Sequence, residues 1–138
     1  NGPFVVFPSR VTSATSDARA GAARSSSART DDLAMLGVKR ETLDAYSAVS
    51  EQVASEMAEN VRVRMGSDIG ISTTGYAGPT GGTEENPVGT VYVAVSTKDG
   101  VNAHRLFYPR KSREYVREAA ASRVMMEAVR AAMGLGSL

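Results

Sequence analysis

The sequence reads as an α/β domain built on a mixed sheet, and three observations point there. Residues 68–74, 89–97 and 101–108 are rich in β-branched side chains and read as strands. Two longer segments carry apolar residues at helical spacing, each behind a serine able to cap it, Ser50 and Ser112. The length, 138 residues, is that of about one domain with one core. Lys98-Asp99-Gly100 is a turn between the last two strands, which therefore form an antiparallel hairpin, whereas strands linked through helices can run parallel.

Taken in order, Phe4-Val5-Val6-Phe7 reads as a short buried strand ended by Pro8. A lone apolar strand so early suggests a domain whose first elements are missing or come from another chain. From residue 11 to 30, all but Val11 and Asp17 are Ser, Thr, Ala, Gly or Arg. That composition cannot bury enough apolar surface to offset the entropy of ordering, so the segment reads as a flexible low-complexity insertion. Its Arg19, Arg24 and Arg29 could meet phosphate, but no aromatic accompanies them for base stacking, and the solvated loop is the favoured reading.

Leu33, Met35, Leu36 and Val38 form a small apolar cluster, and residues 39–46 add a short helix. Ser50 then caps a helix in which Val53, Met57, Val61 and Met65 repeat every fourth residue beside Ala54 and Ala58, ending near Gly66. Its methionines read as core filler. Ser112 caps a last helix whose expected inward face is Tyr115, Ala119, Ala120, Met126, Val129 and Met133, stopped by Gly134.

Composition narrows the chemistry. Cysteine is absent and His104 is the one histidine, which excludes disulfides, thiol nucleophiles and sites with several histidine ligands; a cytoplasmic location is the expectation. No run approaches the roughly 18 apolar residues of a membrane span, so no membrane partner is expected. Net charge is +1, and residues 1–30 hold four arginines against Asp17, leaving about −2 for the remainder. Bulk attraction to nucleic acid is therefore weak.

The functional signal lies between the second and third predicted strands. The stretch Thr73-Thr74-Gly75-Tyr76-Ala77-Gly78-Pro79-Thr80-Gly81-Gly82-Thr83-Glu84-Glu85-Asn86-Pro87-Val88-Gly89-Thr90 holds five of the thirteen glycines. Glycines let a backbone enter positive φ and turn successive N–H groups onto an anion, with Thr73, Thr74 and Thr83 adding hydroxyl donors. The plainer reading is a long connection whose glycines and prolines serve turn geometry. Neither the P-loop nor the dinucleotide fingerprint fits, yet a long glycine-rich loop at a strand end is where open α/β sheets bind ligands.

Thr74-Gly75-Tyr76-Ala77-Gly78-Pro79, then Gly81-Gly82-Thr83, then Pro87-Val88-Gly89-Thr90-Val91-Tyr92, resembles the hallmark loop of the CinA carboxy-terminal domain family. Leu36-Gly37-Val38, Tyr46-Ser47-Ala48-Val49-Ser50 and Glu56-Met57-Ala58 resemble that family in order and spacing, as do Arg113 and Arg117 downstream. The likeness runs from Asp31 to about Met133 and resumes in residues 4–7. It implies a three-layer α/β/α domain with a mixed sheet, and an amidohydrolase converting nicotinamide mononucleotide to nicotinic acid mononucleotide and ammonia. A serine nucleophile with a lysine base is implied, with no metal or cofactor. By the same resemblance Thr74 and Gly75 stand nearest the chemistry, as oxyanion or pocket residues, and Gly78, Gly81, Gly82 and Thr83 shape the nucleotide pocket. Arg113 is the candidate phosphate grip, because guanidinium binds phosphate as a fork, and a homo-oligomer is the expected assembly.

The dyad itself has no counterpart. The family's nucleophile lies in a Glu-Ser-Cys-Thr-Gly-Gly segment that this chain does not contain. Its lysine position falls on Thr12 when counted from Phe7, where the family has tyrosine, or on Asp32 when counted back from Leu36-Gly37-Val38. A serine without a nearby base is a weak nucleophile, so impaired or absent deamidation is the expectation. A non-catalytic nucleotide-binding module and a subunit-interaction role stand beside it. His104, alone on a strand, reads as a packed or surface residue, and Glu84 and Glu85 as solvated loop charges.

Overall fold

The computed structural model describes residues 37–135 and the backbone of Val11 and Thr12. The expected strand at residues 4–7, most of the expected insertion, and the Leu33, Met35 and Leu36 members of the apolar cluster lie outside the described residues. In chain order the elements are β1 (Val11–Thr12), α1 (Arg40–Tyr46), α2 (Glu51–Met65), β2 (Ile69–Gly75), β3 (Thr90–Thr97), β4 (Gly100–Phe107) and α3 (Arg113–Ala132). The sheet order is β1-β2-β3-β4, with β1 parallel to β2 and the other neighbours antiparallel. Val11 and Thr12, the first two residues of the expected insertion, supply β1.

Strand alternation divides the sheet into two faces. Ile69, Ile71, Val91, Val93, Val95 and Leu106 pack against Val116, Ala120, Val124 and Ala128 of α3. On the other face Ala94, with Tyr92, Val101 and Ala103, meets Ala54 and Ala58 of α2. The result is the three-layer α/β/α arrangement that the family resemblance implied.

Helix α2 starts where Ser50 Oγ accepts the Val53 N–H at 3.2 Å, and Glu51 adds a carboxylate to the first turn. It stops at Gly66, whose left-handed φ of 62° lets Ser67 N–H reach the Arg62 carbonyl at 3.0 Å. Between these ends α2 lies close on β2: a Cβ built on Gly70 would sit 2.3 Å from the Ala58 carbonyl oxygen. Only small residues fit this crossing, and Ser72 Oγ adds a hydrogen bond to the Ala54 carbonyl at 2.6 Å. The larger side chains of α2, Val53, Met57 and Val61, point away from the sheet and are covered by Val38, Leu43 and Ala48. Glu56 fastens this cover, accepting from the Lys39 N–H and from the Thr42 hydroxyl at the start of α1.

Two expected core assignments fail. Met65 is 61% exposed, because it falls in the last turn of α2, beyond the reach of that cover. On α3 the caps are as read, with Ser112 Oγ accepting from Tyr115 N–H and Leu135 N–H closing onto the Arg130 carbonyl past Gly134. The inward face, however, is Val116, Ala120, Val124, Glu127 and Ala128. Of the expected set only Ala120 is buried; Tyr115, Met126, Val129 and Met133 are exposed. The helix carries two apolar stripes, and the shorter side chains of the Val116–Ala128 stripe are the ones that fit against the sheet.

Candidate functional site

The glycine-rich loop leaves the sheet at the carboxyl end of β2 and returns at the start of β3. Its base is a continuation of the ladder, with Tyr76 N–H on the Thr90 carbonyl at 2.9 Å and Gly89 N–H on the Tyr76 carbonyl at 2.7 Å. Farther out, Thr83 and Asn86 close a tight turn on each other: Thr83 N–H donates to the Asn86 carbonyl and Asn86 N–H to Thr83 Oγ1, both at 2.9 Å. Asn86 also fixes the turn to the body, since Tyr92 OH donates to its Oδ1 at 2.9 Å and its Nδ2 to the Val49 carbonyl at 3.3 Å. Sequence reasoning missed Asn86 as an anchor; Tyr92 on the adjoining strand was the available signal.

The crest of the loop is where the backbone turns left-handed. Gly78, Gly81 and Gly82 have φ of 92°, 98° and 83°, a region that residues with a Cβ rarely adopt. Space is also tight, because a Cβ on Gly82 would stand 2.7 Å from the Val88 nitrogen. The amides of Ala77, Gly78, Gly81 and Gly82 take no part in the loop's internal hydrogen bonds among the described residues. Ala77 and Gly78 are buried, whereas Gly81 is exposed and Gly82 half-buried, so of these four residues only the two later glycines lie at the surface.

The candidate residues separate into two groups. Arg113, the first residue of α3, is brought onto the loop by Nη1 donating to the Gly78 carbonyl at 3.2 Å. Gly78, Gly81, Gly82 and Arg113 therefore lie at one end of the sheet, beside the amino end of a 20-residue helix. Thr74 and Gly75 lie beneath, in β2, and are fully buried or nearly so. The Thr74 hydroxyl donates to the Ala48 carbonyl at 2.8 Å, and a Cβ on Gly75 would meet the Thr90 carbonyl at 2.6 Å. Thr83 is exposed and engaged in its turn. Thr73 Oγ1 and Thr90 Oγ1 are buried without a hydrogen-bond partner.

Around this end, the Tyr76 hydroxyl is held above its ordinary pKa by burial, and that of Tyr108 likewise, the latter against the opposing pull of Arg123. Lys111 Nζ lies 5.0 Å from the centre of the Tyr115 ring. Glu84 and Glu85 are exposed, as read from sequence. His104 is a packed residue on the α3 face of the sheet, with Nε2 3.9 Å from Glu127 Oε1. Glu127, 4% exposed, takes Arg123 Nε at 2.9 Å; its burial was not legible, although the i, i+4 spacing of the two residues was. Among the described residues no cluster of His, Cys, Asp and Glu is placed to hold a metal ion. No described helix is long and apolar enough to cross a membrane.

A separate cleft of about 550 Å³ opens at the opposite end of the sheet, lined by Arg62, Asp68, Thr97, Lys98, Asp99 and Ala131 among others. Its lining mixes both charge signs and includes none of the loop residues. It therefore offers no support to the glycine-rich end, and the case for that end rests on backbone geometry and Arg113.

Comparison with known proteins agrees with the loop motif. A family model described as the CinA C-terminal domain matches residues 26–133. A CinA-like protein of Shewanella halifaxensis is 52% identical over 83 residues, which are 60% of this chain and 20% of that protein. The chain thus spans about a fifth of the length of such relatives. Among solved structures, a competence/damage inducible protein from Agrobacterium tumefaciens superposes with a TM-score of 0.66 at 36% identity, covering 71% of this chain and 61% of that one. A competence or damage-inducible protein from Enterobacter asburiae gives 0.68 at 34% identity, covering 76% and 67%. With its family model matched over most of its length and its fold shared with these structures, the chain belongs to the CinA C-terminal domain family.

Proposed function

We propose that this domain binds nicotinamide mononucleotide, with the phosphate held at the crest of the glycine-rich loop by main-chain amides and by Arg113. The observation that carries the reading is the Arg113–Gly78 hydrogen bond, which keeps a permanent cation on a loop already bent into left-handed backbone. An anion there meets both the charge and the amino end of α3, two effects that add. Thr74 and Gly75 then form the floor of the pocket. With its hydroxyl committed to Ala48, Thr74 shapes that floor rather than supplying a mobile proton.

The chain carries no Glu-Ser-Cys-Thr-Gly-Gly segment, and Thr12 or Asp32 stands where the family has its lysine. The proposal is accordingly a binding domain of the nicotinamide mononucleotide amidohydrolase family that releases no ammonia as this polypeptide. Calorimetry with nicotinamide mononucleotide tests the first half: heat is expected from the wild-type protein and lost in Arg113→Ala. An ammonia assay tests the second. Sustained ammonia release would overturn the non-catalytic reading, and absence of heat at millimolar nucleotide would overturn binding.

A further inference from the structure

The glycine-rich loop is fastened from both faces of the sheet. On the α3 side Arg113 holds the Gly78 carbonyl. On the α2 side Tyr92 of β3 and Arg105 of β4 are register partners, and each reaches the outer turn. Tyr92 OH donates to Asn86 Oδ1 at 2.9 Å and Arg105 Nη2 to the Glu85 carbonyl at 3.3 Å. A further bond comes from outside the sheet, where Asn86 Nδ2 donates to the Val49 carbonyl at 3.3 Å. Gly81 and Gly82, the two crest glycines at the surface, lie between these fastenings in left-handed backbone.

The Val49 carbonyl belongs to the connection between α1 and α2, in which three successive carbonyls are engaged by side chains of three different elements. Ser50 Oγ donates to the Ser47 carbonyl at 2.9 Å, the Thr74 hydroxyl to that of Ala48 at 2.8 Å, and Asn86 to that of Val49. Presenting them together requires an unusual backbone at the start of the connection. Ser47, with φ of 70° and ψ of 169°, occupies a region otherwise kept almost entirely to glycine. The Val49 side chain is fully buried, so the core fixes the carbonyl that Asn86 meets.

Asn86 in turn locates Gly82. A Cβ on Gly82 would stand 2.7 Å from the Val88 nitrogen, 3.1 Å from the Pro87 carbonyl carbon and 3.3 Å from the Asn86 carbonyl oxygen, so this glycine rests directly on the backbone of residues 86–88. Thr83 N–H closes onto the same Asn86 carbonyl at 2.9 Å. A displaced Asn86 therefore displaces Gly82, and Gly81 with it.

We propose that Asn86 is a positioning residue. Hung between Tyr92 and Val49, its side-chain amide sets the direction of the Gly81 and Gly82 N–H groups and acts through the loop rather than on a ligand. The consequence for affinity rests on the nucleotide reading above; the consequence for the loop does not.

Backbone relaxation by nitrogen-15 NMR tests the loop directly. Order parameters at Gly81 and Gly82 are expected near the rigid value of about 0.85 in the wild type and below about 0.6 in Asn86→Ala. Asn86→Asp keeps an acceptor for Tyr92 and loses the donor to Val49, so a similar fall is expected, whereas Tyr92→Phe should give a smaller one. Adding Tyr92→Phe to Asn86→Ala should produce no further fall, since both act through one amide. Calorimetry is the second arm. In Asn86→Ala the Kd for nicotinamide mononucleotide should rise about fivefold or more, while that for nicotinamide riboside, which has no phosphate for the loop amides, should change less than about twofold. Circular dichroism identifies any variant that fails to fold; Tyr92→Phe, which removes a single oxygen, then decides. Unchanged order parameters in both Asn86 variants overturn the proposal, as does an equal loss of affinity for the two ligands. A wild type that binds no nucleotide sinks the binding proposal instead, and the order parameters then decide the positioning role alone.

Discussion

Helices α2 and α3 pose the same packing problem and meet different fates. Each sets small side chains against the sheet, Ala54 and Ala58 in one case, Ala120 and Ala128 in the other, and each carries a second apolar stripe. On α2 the second stripe, Val53, Met57 and Val61, is closed over by residues 38–48. On α3 it stands in solvent. Helical periodicity therefore identifies apolar stripes without saying which of two reaches the core; that is decided by the space between helix and sheet.

The sharpest way to break this comparison is to truncate one methionine on each helix. Met57→Ala removes a fully buried side chain and should lower unfolding stability by about 2–5 kcal/mol in denaturant titration, whereas Met126→Ala, at low protein concentration, should stay within about 0.5 kcal/mol of wild type. Equal losses would mean that the outer stripe of α3 is covered within one chain. Next in size, Gly70→Ala drives a methyl into the Ala58 carbonyl and should cost about 1–3 kcal/mol, read as a lowered denaturation midpoint; a neutral result would show that α2 lies higher over β2 than described.

Most of the fold could be read from the sequence because its signals were local. Ser50 and Ser112 cap their helices as their positions suggested, the Lys98-Asp99 turn makes the hairpin, and Gly66 and Gly134 stop the helices. What escaped was non-local. The burial of Glu127 brings it beside His104 of β4, a contact that adds to its local i, i+4 pair with Arg123, and the anchoring of Asn86 depends on Val49 and Tyr92. The site divides in the same way. The glycines of the loop declared themselves, but that Thr74 spends its hydroxyl on Ala48, and that Arg113 reaches Gly78, required the fold.

Smaller effects sharpen the contrast at the helix ends. Ser50→Ala and Ser112→Ala should each cost about 1 kcal/mol in thermal unfolding, with the Ser50 change the larger because its hydroxyl is buried and also donates to the Ser47 carbonyl. The least effect is expected from alkaline pH. Burial raises the pKa of Tyr76 and Tyr108 above the ordinary 10, so the unfolded chain releases those protons first. Their contribution to stability is complete below pH 10 and should fade as pH rises beyond it, measured as a declining midpoint that Tyr76→Phe partly restores.

The central claim concerns where a nucleotide sits, and backbone amide NMR during titration with nicotinamide mononucleotide addresses it most directly. Saturable shifts are expected at Ala77, Gly78, Gly81, Gly82 and Arg113, with the hairpin at Lys98 and Asp99 unmoved. Shifts confined to the cleft around Arg62 and Lys98, or no shifts at all, would contradict it.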